Sequence, residues 1–367
     1  MRNILIFFLL LSVHICTAQY TKYNNTFTIL RSNRIAFTSF TLVAPCPHSD
    51  DYQDIYNLDL TSAGKWNQQT IAENQNQYVE LCMNAAQLSS IDKDFKVGYS
   101  FIFFPKTIEI DFSRFKNADG TWKDMPEYDT TTNDYKDNCK RSGEFVVPDN
   151  SIIKSLSDSL FEECGKNRLA YTEHCYNYVA SNYKYLNPFT GLHTLSKILK
   201  DGGGDCGNLS SIYISLLRAK GIPARHVVAF AANNNFHVWA EFYIQDFGWV
   251  PVDVTYKNGN PRGNYFGRYN YNMVIVQKGA FMDYNLQNEG TKTLELLQTY
   301  YYWYWYSVYA TLSVSQQVFL EKVENIDNIP LNRVEVSIPK TKKVLKNNRM
   351  LIEKGRKNYY YNGVLAP

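Results

Sequence analysis

The most regular alternation of apolar and polar residues lies in GDCGNLSSIYISLLRAKGIPARHV (204–227). Leu209, Ile212, Tyr213, Leu216 and Leu217 fall at i, i+3, i+4, i+7 and i+8, which predicts a helix that begins beside Cys206 and is stopped by Gly221-Ile222-Pro223. Ile214 lies off that stripe, so the helix is expected to be covered on more than one face. Upstream, Ile152, Ile153, Leu156 and Leu160 predict a helix capped by Asp149 or Ser151. A second helix, from about Arg168 to Ser181, carries Ala170, Cys175, Tyr178 and Val179, and LHTLSKILKDGGG reads as a shorter one ended by glycines. Downstream the period shortens toward two. RHVVAFAA, FHVWAEFYI, GWVPVDVTY and YNMVIVQKG all read as strands.

Residues 20–115 are strand-like as well. NTFTILRS, RIAFTSFTLVAP, QYVELCMNAA and VGYSFIFFPKTIEIDF are rich in β-branched and aromatic residues, with Pro, Asn and Asp clusters between them, a pattern that favours an antiparallel β-sandwich. Residues 116–148 are polar and turn-rich and read as a linker or long surface loop. The C-terminal third contains LQTYYYWYWYSVYATLSVSQQVFLEKV. It is read as a pair of strands packing a sandwich core, with a carbohydrate-binding aromatic surface as the functional alternative. A basic tail follows Arg333 and is read as a solvated hairpin. The expected organisation is a leader over 1–18, a sandwich plus linker over 19–148, a mixed core over 149–285 and a β-rich extension over 286–367. The fold class is α+β.

Composition changes this picture little. The chain has 367 residues, 29 Tyr, 21 Phe and a net charge of +3, so nothing calls for a nucleic-acid partner. The start of the chain changes it more. Arg2, the apolar run from Ile4 to Val13 and Cys16-Thr17-Ala18 form a secretory leader with a cut after Ala18. No other stretch is apolar long enough to span a bilayer. An exported protein is expected, in the periplasm, at the cell surface or outside the cell. Cys46, Cys82, Cys139, Cys164, Cys175 and Cys206 then remain, and an oxidising compartment permits disulfides. Cys164 with Cys175 and Cys46 with Cys82 are two pairings the sequence allows.

Cys206 carries the chemistry. At a helix N-terminus the first N–H groups lack internal partners and the dipole favours a thiolate. The neighbouring Asp205 opposes this unless it turns away as the cap. His237 and Asp253 lie on two successive strands joined by a short polar turn. With an odd loop Tyr243 faces Trp249, and His237 and Asp253 become diagonal neighbours roughly 7 Å apart. With an even loop they fall on opposite faces. If the first register holds, Cys206 attacks a carbonyl, His237 moves the proton and Asp253 orients the imidazole. The backbone N–H of Cys206 is then one oxyanion donor.

GDCGNLSSIYISLLRAKGIPARHV, HVWAEFY and GWVPVDVTY together resemble the transglutaminase-like superfamily of cysteine enzymes, and YFG (265–267) and NYKYLN (182–187) fit the same pattern. The resemblance spans about residues 150–285. It implies a papain-like core, with a cysteine-bearing helix packed on an antiparallel sheet, and a Cys206, His237 and Asp253 triad. It also implies a preceding sandwich of the kind found in exported bacterial members. The tryptophan that completes the oxyanion site of animal transglutaminases has no counterpart here, so Tyr185 or Tyr183 is the substitute. Trp239, Gly204 and Asp205 are candidate pocket residues. No cofactor is expected, and neither calcium nor another metal. His193 and His226 lack partners at metal-like spacing.

The resemblance implies an exported enzyme that acts on amide bonds of peptides, proteins or cell-wall-type material. Its acyl-enzyme thioester passes to water or to an amine. The competing reading is a non-catalytic module that holds a peptide or glycan on the same scaffold. Arylamine acetyl transfer shares the triad logic but lacks an acetyl donor outside the cell.

Overall fold

The computed structural model describes residues 20–60, 66–71, 73–186, 191–231, 235–324, 326–336, 350–353, 356–361 and 364–366. The expected leader lies outside the described residues, as do the side chains of the C-terminal tail beyond residue 336. Among the described residues no helix is long and apolar enough to cross a membrane.

Two sheets form the sandwich. In one, Thr21–Arg31 pairs antiparallel with Phe95–Glu109, which also pairs with Gln53–Asp59. In the other, Phe37–Pro45 pairs with Gln77–Asn84, and Gln77–Asn84 with Trp66–Thr70. Strands alternate their side chains between two faces, and the inward set (Phe27, Phe40, Leu42, Val79, Phe101 and Phe103) is almost fully buried. The C-terminal aromatic stretch completes this sandwich. Tyr301–Tyr306 pairs with Phe37–Pro45, and Leu312–Lys322 runs the length of Thr21–Arg31. The packing reading of that stretch therefore describes its place, and the strands belong to the N-terminal sheets.

The core follows its hydrophobic pattern. The helix Cys206–Arg218 is buried from Gly207 to Arg218, as its second apolar face predicted. It packs against the strands Ala224–Ala231 and Asn235–Ile244 and the helices Ser151–Glu163 and Arg168–Asn182. Gly221, at φ +66, takes the left-handed conformation that ends the helix, and the Ile222 N–H returns to the Leu217 carbonyl at 3.1 Å. The four-stranded sheet runs Gly248–Val252, Asn235–Ile244, Ala224–Ala231, Val274–Lys278.

Four expectations differ from the structure. The cap of Ser151–Glu163 is Asn150, whose Oδ1 accepts the N–H groups of Ile152 and Ile153. GWVPVDVTY is a strand only to Val252, because Asp253 caps a short helix over Val254–Gly259. Residues 116–148 do not form a loose linker: Met125 and Val146 are core residues and Tyr128 donates to the Tyr243 carbonyl at 2.7 Å. The six described cysteines are all free thiols, so neither suggested disulfide is present.

Sandwich and core are knitted by the segment that leads from Phe37–Pro45 into Gln53–Asp59. Gln53 clamps both backbone groups of Ile275, accepting its N–H at 2.8 Å and donating to its carbonyl at 2.9 Å. Asp50 pairs with Lys278 at 2.6 Å. Tyr52, 1% exposed, donates to the buried carboxylate of Glu241. That carboxylate also receives Arg225 Nε at 2.6 Å, and the guanidinium lies 3.7 Å from the Trp249 ring centre. Arg225 thus ties the loop after the cysteine helix to the core.

Candidate active site

The hairpin decides the register. Tyr243 faces Trp249, Phe242 faces Val250 and Ala240 faces Val252, so the odd loop is the one formed, with Gln245, Asp246 and Phe247 between the closing pair Ile244 and Gly248. Asp246 takes φ +61 in that turn. This register brings His237 and Asp253 together, with Nε2 meeting Oδ2 at 2.6 Å. The other carboxylate oxygen accepts the N–H groups of Thr255 at 3.0 Å and Tyr256 at 2.9 Å, so Asp253 is both a helix cap and the imidazole's partner. Its own N–H reaches the Tyr265 carbonyl at 3.2 Å, and Gly267 N–H reaches Pro251 at 2.8 Å. The YFG stretch therefore fixes the aspartate in place.

With Nε2 committed to Asp253, Nδ1 is the ring nitrogen left for the thiol. His237 is 8% exposed and Asp253 1%. Burial opposes a charged imidazole, but the Asp253 carboxylate, through charge and hydrogen bond, and then the Cys206 sulfur outweigh it. The imidazole is pushed up to about 10. Three aromatic rings enclose it. Tyr256 lies 4.8 Å away, Tyr271 5.7 Å and Trp239 5.8 Å, measured between ring centres.

Asp205 is the cap of the cysteine helix. Its Oδ1 accepts the Asn208 N–H at 3.1 Å and the Asn208 side-chain amide at 2.8 Å. Burial raises its carboxyl, and the backbone N–H groups it accepts work the other way. It is 7% exposed and builds the helix start. Gly204 is a close-approach position: a Cβ there would come 2.5 Å from Cβ of Asn208. Trp239, 1% exposed, packs against the imidazole, Tyr269 and Tyr271.

Tyr185 reaches the cysteine through backbone pairing. Lys184 and Tyr185 run parallel to Gly203 and Gly204, and a Cβ on Gly203 would stand 2.0 Å from the Lys184 carbonyl oxygen. Tyr185 is 43% exposed. Burial first, then the charges of Cys206, Asp205 and Tyr256, raise its phenol. Tyr183 instead has its carbonyl held by Asn258 at 2.9 Å. His226 engages Ser211 Oγ at 3.0 Å and the Gly207 carbonyl at 3.3 Å, and burial, then Arg218, push it down to about 3.

Two site residues were missed by sequence reasoning. Tyr271 donates to Oδ2 of Asp253 at 2.9 Å. Asn208, fully buried, donates to the Gly191 carbonyl at 3.1 Å and accepts the His193 N–H at 2.7 Å. The only signal for Asn208 was a polar residue on the first turn of an apolar helix. Tyr271 gave no signal.

Residues 154–254, which include Cys206, His237 and Asp253, match the model of the transglutaminase-like superfamily. The chain is 30% identical to an uncharacterized protein of Haemophilus influenzae, over 29% of this chain and 37% of that protein. It is 36% identical to the uncharacterized protein YebA of Bacillus subtilis, over 16% of this chain and 10% of that one. Both relatives are therefore matched over well under half their length. A crystal structure from Cytophaga hutchinsonii, named a "Putative Cysteine Protease", superposes with a TM-score of 0.53 at 14% identity, covering 91% of this chain and 97% of that one. The shared property is the fold: mixed α+β, with a transglutaminase-like core and a β-rich C-terminal part.

Proposed function

We propose that this transglutaminase-like chain is an exported cysteine-dependent enzyme that acts on amide bonds through an acyl-enzyme thioester. The observation that carries the reading is the 2.6 Å contact of His237 Nε2 with Asp253, which leaves Nδ1 for the thiol of Cys206. An imidazolium beside a thiol favours its nucleophilic form.

Cys206 Sγ attacks the amide carbonyl carbon while its proton resides on His237 Nδ1. The carbonyl oxygen takes up negative charge against the Cys206 N–H, which as a first-turn donor has no intrahelical acceptor. Tyr185 is the second donor. As the C–N bond breaks, His237 returns the proton to the departing amine. Water then attacks the thioester, giving up a proton to His237, and an acid is released with the regenerated thiol. If an amine attacks in place of water, the product is a new amide. Asp253 holds the imidazole by one oxygen and supports its charged form throughout. The leader over residues 1–18 supports export. Peptides, proteins and cell-wall-type amides are the substrate classes, with no cofactor.

The test is mass spectrometry of peptide and glutamine–amine mixtures incubated with the wild type and with Cys206→Ala. Fragments that depend on Cys206 mean hydrolysis, and amine-mass adducts mean transfer. If neither forms, and a thiol-directed probe labels Cys206 no faster than the other cysteines, the enzymatic reading fails and a binding role replaces it.

A further inference from the structure

A groove of about 250 Å³ is lined in part by Gly191, Leu192, Glu295, Gln298, Tyr300 and Tyr301. Its walls are tied to the candidate site from both sides. Gly191 is held by Asn208, two residues beyond Cys206. Leu192 packs where a Cβ on Gly207 would lie 2.8 Å from it. Gln298 reaches the backbone of the histidine strand and its neighbour, donating to the Ala229 carbonyl at 2.9 Å and to that of His237 at 3.5 Å. Cys206, Leu296 and Tyr300 pack against one apolar cluster. The start of the cysteine helix and the strand that carries His237 are thus each joined directly to a wall of this groove.

The groove has one formal charge. Glu295 is its sole acidic or basic lining residue. Its backbone carbonyl is occupied by the Phe281 N–H at 2.9 Å, but among the described residues its carboxylate is in no ion pair. Burial raises the Glu295 carboxyl and nearby His193 works the other way; burial and then the Glu295 charge raise the Tyr301 phenol. A carboxylate flanked by tyrosine rings suits an alkylammonium group, which gains charge attraction and contact with the ring faces. It repels an acidic group in the same place.

On the reading that Cys206 is a nucleophile, we infer that this groove is a specificity subsite. Glu295 makes it select peptide substrates that carry an alkylammonium side chain, of the lysine or diamino-acid type, next to the amide that is attacked.

The first test needs no turnover. Cys206 is modified in the full chain with 2-aminoethyl, methyl and 2-sulfonatoethyl methanethiosulfonate, and its rate is read by mass spectrometry of the peptide that contains it. The expected order is cation, then neutral, then anion. Glu295→Gln lowers the cation-to-neutral ratio about 5-fold, the size of an exposed charge pair, and Glu295→Lys reverses the order. A ratio unchanged in both variants overturns the subsite. The second test compares kcat/KM for paired peptides with lysine or norleucine beside the scissile bond. The lysine preference should fall with Glu295→Gln, and a preference that persists also overturns the proposal. Loss of the nucleophile reading would show differently, as equal labelling of all cysteines by neutral reagent, whatever the charge ratio.

Discussion

Tyr271 and His237 share one oxygen of Asp253, the phenol at 2.9 Å and the imidazole at 2.6 Å. The carboxylate is therefore held by four donors, two of them backbone N–H groups of the helix it caps. Its orientation is set before any substrate arrives.

Removing the phenol tests this arrangement. In Tyr271→Phe, Asp253 loses one charge-assisted hydrogen bond, an interaction of about 1.5–3 kcal/mol. Amide turnover is expected to slow about 10-fold. Oδ2 then serves His237 alone and holds the imidazolium more tightly, so that it gives its proton to the leaving amine less readily and the alkaline limb of the turnover profile moves to higher pH. A merely structural tyrosine would lower stability and leave that limb in place.

Asp253→Asn keeps an oxygen that can cap Val254–Gly259, so the fold is expected to persist. The charge is lost, and burial of His237 is no longer opposed by it. NMR titration should then find the imidazole below its ordinary range, where in the wild type it is pushed up to about 10. Amide turnover is expected to fall by about 10³–10⁴, the scale of losing the orienting carboxylate in related triads.

The same pair makes stability depend on pH. The folded value of His237 lies above its unfolded value near 6.5, so the folded state binds the proton more tightly. The stabilisation is complete below about 6.5 and disappears as pH rises through about 10. The stability gap between the wild type and His237→Gln, measured by urea denaturation, should narrow steadily across that window. A gap that stays constant from pH 6 to pH 10 would show that the imidazole gains no proton affinity on folding.

Beneath the site, Glu241 is wholly buried and relies on Arg225 and Tyr52. Arg225→Met leaves that carboxylate without its cation and is expected to cost about 3–5 kcal/mol. Adding Glu241→Gln should recover part of the loss in the same denaturation assay. If the single and double variants are equally unstable, the guanidinium acts through its packing on Trp249 and not through charge.

Local pattern made much of this molecule legible. Leu209 to Leu217 define the cysteine helix by spacing alone, and the strand sequences around His237 and Asp253 stand out by alternation. The parity of the turn at Gln245–Phe247 was open, because a positive φ at Asp246 is a tertiary outcome as much as a residue preference. Tyr271 lay outside reach: it arrives at Asp253 from eighteen residues further on, carried by chain geometry and not by a motif. Strand pairing between the two ends was equally hidden. Gln316 bonds to Asn25 across 291 positions, and no window of sequence records such a partnership.

That long-range pairing has a consequence for biogenesis. During synthesis the outer edge of Thr21–Arg31 waits for Leu312–Lys322, while every strand and helix of the cysteine-bearing core is already complete. An unpaired edge recruits other chains, so a ribosome-bound nascent chain is most prone to aggregate in the interval before residue 322 emerges, and truncation ahead of that strand would leave the edge permanently open.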